Sequence, residues 1–297
     1  MTDAPLWTKD KPPRQGLGLM RLRDADGGTP DADRDPVAVV HAALDAGITL
    51  LDTAELYGNE DLVGRTIAGR RHEVTLCTKF GVVWGAQSDD WSVHADPASV
   101  VASCEASLSR LNIETIDLYY LHHRSEDTPI EETITAMAEL VDSGKIRAIG
   151  LSNVTAEDVR RAHAVHPILA VQEQWSLASR DVETTMLPTV VELGITLVAH
   201  SPLGHGILGG TSDPASPDVA RTLADIATGD GVSAGQVALA WVHSQAERRN
   251  HPVVPLPGST SVQHVLANVL ASTIRLRDED IVRLDEVSAA TGPIPSR

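Results

Sequence analysis

Aromatic side chains are scarce in this chain of 297 residues, which holds one Phe, three Tyr and five Trp. Leu, Val, Ile and Ala must therefore fill most of its core, and a hydrophobic fraction of 42% supplies enough of them. Cysteine is nearly absent. Cys77 and Cys104 cannot build a disulfide framework, and their spacing matches no metal motif. Positive charge is short as well, with 24 Lys and Arg against 41 Asp and Glu and a formal net charge of -17. That balance argues against a nucleic-acid partner, which needs clustered Lys and Arg, and serves solubility instead. No apolar run approaches the ~20 residues of a membrane span. The opening residues 1–5 lack the charged and apolar regions of a secretory signal, so a soluble cytoplasmic protein is expected. No Pro/Gly/Ser-rich linker and no repeat divides the chain, which implies a single domain over 1–297.

What the chain does contain is a strand-to-helix unit that recurs. The stretch that organises it is Leu-Leu-Asp-Thr-Ala-Glu-Leu-Tyr-Gly over 50–58, where an apolar run ends on Asp52 and Tyr57 follows five residues later. Strands are expected at 15–20, 48–52, 75–79, 116–122, 146–152, 168–174, 195–200 and 252–256. Helix signals fall between them. Asp35-Pro36 and Asp96-Pro97 read as N-caps with proline at the first helical position, and Gly47 as a left-handed stop. Thr128-Pro129-Ile130-Glu131 reads as a capping box, and Thr155 to Asp158 caps the next helix. One helix is expected from Asp181 to Gly194, two near 218–228 and 233–245, one over 261–270, and a last amphipathic piece through Ile281, Leu284 and Val287. Between 81 and 95 lies a long excursion carrying Trp84 and Trp91. Eight strands alternating with helices argue for an α/β fold, a (β/α)8 TIM barrel. A doubly wound sheet would need phosphate-binding glycines after the first strand. Gly16-Leu-Gly-Leu-Met20 lacks the third glycine of that fingerprint.

In a barrel, polar residues at the carboxyl ends of strands meet at the working mouth. Asp52, Tyr57, Lys79 and His122 all arrive at such ends. A phenol has an ordinary pKa of about 10, too high for an efficient proton donor near neutrality. An ammonium about 4 Å away is worth up to ~4 kcal/mol at an effective dielectric of 20. Lys79 is therefore expected to lower the phenol by up to ~3 units. Asp52 would keep Lys79 charged, and His122 would orient a substrate oxygen or share its proton. Taken singly, Asp52 could cap a loop, Lys79 could sit in an ordinary salt bridge and Tyr57 could be a rim aromatic. Their joint placement favours acid/base chemistry on a carbonyl or an alcohol. His122 and His123 are adjacent on a strand and point to opposite faces, so they do not chelate one ion, and no metal site is expected.

These motifs resemble the aldo-keto reductase superfamily, from Gly16 to about Leu284. The likeness rests on Asp52-Thr-Ala-Glu-Leu-Tyr57-Gly, Thr78-Lys79-Phe80-Gly81 and Asp117-Leu-Tyr-Tyr-Leu-His122. It continues through Gly144-Lys-Ile-Arg-Ala-Ile-Gly-Leu-Ser152-Asn153, Trp175-Ser176-Leu177, Ser201-Pro-Leu-Gly204 and Pro257-Gly258-Ser259. The resemblance implies reduction of an aldehyde or ketone by hydride transfer from NADPH or NADH, with Tyr57 as proton donor and Asp52, Lys79 and His122 as its partners. It also implies that Ser152, Asn153 and Gln172 hold the nicotinamide carboxamide and that Trp175 stacks on the ring. Ser201, Leu203 and Gly206 match the loop over the pyrophosphate, Ser259 and Asn268 match phosphate and adenine contacts, and Ser261 and His264 occupy the cofactor-binding positions beside a 2′-phosphate. His200, His205, Ser261 and His264 depart from the family, the last two standing where many members carry Arg or Lys against a 2′-phosphate. Trp84, Trp91, His123 and His200 are expected to line the substrate mouth. The implied partner is a small carbonyl compound. The other function the likeness allows is a cofactor-binding regulatory subunit with little turnover.

Overall fold

The computed structural model describes residues 6–7, 11–24, 33–85, 91–209 and 216–291. The opening residues 1–5, most of the Asp- and Gly-rich loop after the first strand and the tip of the 81–95 excursion lie outside them. Eight parallel strands, β1 (Gly16–Gly18), β2 (Leu50–Asp52), β3 (Thr75–Phe80), β4 (Leu118–Leu121), β5 (Ile149–Ser152), β6 (Ile168–Gln174), β7 (Thr196–His200) and β8 (Val253–Leu256), form one sheet in sequential order. A parallel bridge between Gly18 and Gly258, with Gly18 N–H donating to Pro257 O at 3.1 Å, joins the two edges into a barrel. The expected (β/α)8 class holds.

Strand parity separates two cores. Leu50, Cys77, Leu118, Tyr120, Ala170, Val198, Val254 and Leu256 pack inside the barrel, together with Trp7 from the N-terminal segment. Their alternates, including Leu51, Leu76, Phe80, Tyr119, Leu121, Val171 and Leu197, face outward and pack in the layer beneath the helices. A Cβ at Gly150 would run into the Tyr120 ring, so this position on β5 gives the ring its space.

The helices are α1 (Pro36–Asp45), α2 (Glu60–Ile67), α3 (Pro97–Leu111), α4 (Ile130–Asp142), α5 (Ala156–Val165), α6 (Val182–Thr185), α7 (Leu187–Leu193), α8 (Pro217–Asp230), α9 (Ala234–Arg249), α10 (Val262–Ala271) and α11 (Asp278–Thr291). Asp35 caps α1 by accepting Ala38 N–H, Asp96 caps α3, and Thr155 with Asp158 forms a reciprocal capping box on α5. The box expected at Thr128 does not form. Ser125 Oγ accepts the N–H groups of Asp127 and Thr128 instead, and α4 starts after Pro129 with no side-chain cap. The single helix expected up to Gly194 is two, broken at Met186, because Pro188 favours the first turn of a new helix. The 81–95 excursion contains an antiparallel hairpin, Val82–Trp84 with Trp91–Val93, which pairs Trp84 with Trp91. Among the described residues, no helix is long and apolar enough to cross a membrane.

Gly64 sets the approach of α2 to α3, since a Cβ there would meet the backbone of Leu111. Backbone cannot move aside as a side chain can. Gly64→Ala is therefore expected to cost about 3 kcal/mol, at the upper end of overpacking penalties. The midpoint of urea unfolding, compared with that of the unhindered Gly69→Ala, is the check.

Candidate active site

Parity also decides which polar groups meet at the mouth. Asp52 continues the inward set of β2, Lys79 that of β3, His122 that of β4, Gln172 that of β6 and His200 that of β7. Lys79 is 1% exposed and forms a buried ion pair with Asp52, while its Nζ also donates to Thr53 O at 2.9 Å. Gln172 reaches across the interior and donates from Nε2 to the other oxygen of Asp52 at 2.9 Å. Both carboxylate oxygens and two ammonium protons are therefore engaged. Buried charges persist only when they are paired and hydrogen-bonded in this way.

Tyr57 lies on a single 3₁₀ turn, Glu55–Tyr57, closed by left-handed Gly58. Lys79 Nζ lies 5.1 Å from the centre of its ring, and the His122 ring stands edge-on at 5.8 Å. The structure thus brings the four residues together. It corrects the expected tuning of Tyr57. Burial pushes the phenol up, the Lys79 charge and hydrogen bond push it down, and Asp52 pushes it up, with a net rise above 10. Burial also pulls Lys79 down, but Asp52 and Tyr57 outweigh it, so the ammonium keeps its proton. Burial, with Lys79 and the neighbouring His200 and His123 charges, lowers His122 to about 3. Its Nδ1 is buried with no partner among the described residues, a polar atom that a bound molecule could satisfy. His200 falls to about 3 through burial and the charges of Lys79 and His205.

Ser152 and Gln172 are register partners on β5 and β6. Asn153, in the left-handed region at φ 52°, donates from Nδ2 to His122 O and Ser152 Oγ, each at 3.0 Å. The expected carboxamide group is therefore contiguous, although the Gln172 amide is already committed to Asp52. Trp175 is not with it. Its indole is 0% exposed, edge-on to Trp241 at 6.3 Å, and its N–H donates to Glu183 at 3.1 Å. No face of that ring is open for stacking, and the ring that reaches the mouth on this side belongs to His200.

After β7, backbone with positive φ at Ser201, Gly204, His205 and Gly206 folds the 201–206 loop back on itself, with Gly206 N–H donating to Leu203 O. After β8, Ser259 Oγ donates to Ser261 O, and Asn268 is buried on α10. Ser261 caps α10 by accepting His264 N–H, and its own hydroxyl donates to Asp33 at 2.6 Å. Asp33 also accepts Gln263 N–H on its carboxylate and Val262 N–H on its carbonyl. The bonds from Ser261 and Gln263 hold the Asp33 carboxyl below the usual carboxylate range. The sequence reading missed this acidic residue. On the substrate side, the Trp91 and His123 rings meet edge-on at 4.8 Å, and Trp84 is 58% exposed on the same hairpin.

A barrel whose mouth holds a phenol against a buried ammonium–carboxylate pair is an acid/base site suited to carbonyl and alcohol chemistry. Residues 15–289 match the family model described as Aldo/keto reductase family. The chain belongs to that family and is a nicotinamide-dependent oxidoreductase. Among solved structures it is similar to the glycerol dehydrogenase AKR11B4 from Gluconobacter oxydans, at 29% identity over 100% of this chain and 97% of that one, with a TM-score of 0.84. An aldo-keto reductase from Klebsiella pneumoniae solved in complex with NADPH is 32% identical over 100% and 98% of the two chains, with a TM-score of 0.78. The aldo-keto reductase AKR11C1 from Bacillus halodurans, in its holo form, is 28% identical over 97% and 96%, with a TM-score of 0.79.

With pKa values of about 3, the rings of His122 and His200 are neutral throughout the neutral pH range. Their imidazole proton resonances should stay fixed between about pH 5 and about pH 8, where an ordinary histidine titrates. The linked stability has a definite sign. The unfolded chain takes up these protons below about pH 6.5 and the folded chain only near pH 3, so stability falls as pH drops through that window. His122→Asn should reduce the slope of the thermal midpoint against pH between about pH 6.5 and about pH 4.

Proposed function

We propose that the chain reduces a small aldehyde or ketone to an alcohol, with Tyr57 protonating the carbonyl oxygen and NADPH as the cofactor, NADH being the alternative. One observation carries this reading: the phenol of Tyr57 rests against a lysine whose charge is locked by Asp52. When bound, the nicotinamide supplies the hydride to the carbonyl carbon.

The residues of the chain supply the rest. Because its pKa lies above 10, Tyr57 holds its proton across the neutral range and is always ready as a donor. As negative charge grows on the substrate oxygen, the phenol gives up its proton. Lys79 then stabilises the phenolate that remains, and Asp52 keeps Lys79 in place and charged. Electrostatic stabilisation by a fixed group costs no reorganisation at the moment of reaction. His122 acts as a neutral hydrogen-bonding group beside the phenol, since its proton affinity is too low to share a charge.

The chain fits a nicotinamide dinucleotide in several places. Ser152, Asn153 and Gln172 gather amide and hydroxyl groups for the carboxamide, and the Ser201, Leu203 and Gly206 loop would cover the pyrophosphate. Ser259, just before α10, and His264 and Asn268, on it, would take the adenosine end. The Trp84, Trp91 and His123 wall, with His200 opposite, gives the carbonyl compound an aromatic surface.

Tyr57→Phe deletes only the proton donor. Carbonyl reduction with NADPH should fall by a factor of about 100 or more, while the cofactor dissociation constant stays within about twofold. Near-normal turnover would remove Tyr57 from the mechanism. In the reverse direction the phenol must first lose its proton. Alcohol oxidation should therefore rise with pH on the alkaline side, while reduction stays level from about pH 6 to about pH 8. Lys79→Met removes the charge that lowers Tyr57, so the alkaline rise should move to higher pH.

The cofactor leaves its own signature. A 2′-phosphate carries nearly two negative charges near neutrality and would approach α10 against the ionised Asp33. Asp33→Asn keeps an acceptor for Gln263 N–H and removes the repulsion. It should tighten NADPH roughly two- to fivefold and leave NADH unchanged, as read from dissociation constants for both. Equal changes for the two cofactors would place the 2′-phosphate elsewhere.

A further inference from the structure

Tyr57 stands on one turn of 3₁₀ helix, whose backbone bonds are Tyr57 N–H to Ala54 O and Gly58 N–H to Glu55 O. A turn this short has little rigidity of its own. Lys79, by contrast, is fixed in a buried strand paired on both sides. Some other contact must set the distance between the phenol and the ammonium.

We infer that Glu55 is the positioning residue that holds the Tyr57 turn against the Lys79 strand, and that Glu60 and Arg110 complete the same clamp. The inference rests on Tyr57 being the proton donor. Glu55 Oε1 accepts Gly81 N–H at 2.8 Å, two residues beyond Lys79. Glu60, 1% exposed, accepts the Thr78 hydroxyl at 2.6 Å, one residue before Lys79. The carboxylates on either side of Tyr57 therefore grip the two flanks of Lys79. On α3, Arg110 binds Glu60 Oε2 at 2.7 Å and reaches within 3.9 Å of Glu55 Oε2, so one guanidinium serves both acids. Ser107 adds a hydroxyl to Glu60 at 3.3 Å. Across the base of the turn, Thr53 Oγ1 donates to Asn59 Oδ1 at 2.6 Å, and Asn59 Nδ2 donates to Leu19 O and Leu22 O. These contacts leave the phenol free and restrain the backbone that carries it. Gly81, in the left-handed region at φ 105°, turns its N–H toward Glu55 at the root of the tryptophan hairpin. The clamp thus also fixes the start of the substrate wall.

The role turns on an acceptor for Gly81 N–H and not on bulk or charge. Glu55→Leu keeps much of the volume and loses the acceptor, whereas Glu55→Gln keeps an amide oxygen. The test measures kcat for an aliphatic and an aromatic aldehyde with NADPH, NADPH affinity from quenching of tryptophan fluorescence, and the urea midpoint. Glu55→Leu should lower kcat about 100-fold, the cost of an ångström-scale misplacement, with NADPH affinity within about twofold. Glu55→Gln should recover kcat to within about threefold of wild type. Full activity in Glu55→Leu, equal losses in both variants, or a loss confined to cofactor affinity would each overturn the clamp. If Glu55→Leu does not fold, Thr78→Val removes the bond on the other flank while keeping both carboxylates, and an unchanged kcat there overturns it equally. A wild-type protein that reduces no aldehyde, or a Tyr57→Phe variant that still does, removes the proton-donor reading and the clamp with it. An active wild type, an inactive Tyr57→Phe and an active Glu55→Leu remove the clamp alone.

Discussion

The buried pair of Lys79 and Asp52 is the constraint around which the barrel mouth is arranged. Taking two such charges out of water costs several kcal/mol each, and attraction between them repays this only when the remaining hydrogen-bonding capacity is also met. Thr53 O takes another ammonium proton, and Gln172 covers the second carboxylate oxygen. Those partners come from β2, β3 and β6, so the pair can exist only in a closed barrel with the register found here. It also leaves a fixed positive charge beside Tyr57 that needs no solvent to hold it.

Two influences compete on that phenol. Coulomb attraction to Lys79 favours the phenolate, and burial favours the phenol. Considered alone, the lysine would lower the pKa by units, which was the expectation from sequence. The burial that keeps Lys79 dry also desolvates Tyr57, and Asp52 adds repulsion, so the phenol ends above its ordinary value. The arrangement suits a donor whose proton is retained until the substrate oxygen demands it. Its pairing with a neutral His122 follows from the same dryness, since an ammonium and an imidazolium could not share so small a volume.

Much of this was legible in the chain itself. Strand ends, the N-caps at Asp35, Asp96 and Thr155, and the gathering of Asp52, Tyr57, Lys79 and His122 at the mouth followed from local patterns that tertiary packing did not override. Trp175 did not, yet the sequence held the information. With Ala170 and Gln172 facing inward, the period of two sends Gln174 inward and Trp175 outward, where it meets Trp241 and Glu183. An aromatic side chain at a strand end reaches the mouth only when its face is the inward one. Other features had no local signal. The roles of Glu55, Glu60 and Asp33 depend on Gly81, Thr78 and Gln263, and those pairings exist only once the barrel has closed. The hairpin at Val82–Trp84 and Trp91–Val93 was hidden because its strands are short and half-exposed, without a buried apolar run. The absent capping box at Thr128 shows a motif losing to its neighbour, since Ser125 already takes the Thr128 N–H that the box would have used.

The electrostatics of the mouth bear on what it can take in. The chain carries a net charge of -17, but at physiological salt such a field fades over about 8 Å, so local groups decide what enters. Those groups are largely compensated: Lys79 is matched by Asp52, and Arg124 lies 3.2 Å from Asp158. His122 and His200, which would add positive charge in an open site, are kept neutral by burial. An anionic substrate reaching the phenol would therefore lose its hydration and meet an ammonium already paired with Asp52. A neutral carbonyl compound, the substrate class proposed, would give up far less on entry and would have the exposed rings of Trp84 and Trp91 to meet. The same balance explains why the one strong charge at the centre is buried. In the proposed reaction Lys79 would meet the negative charge that develops on Tyr57, and its tie to Asp52 keeps it from acting as a general anion trap.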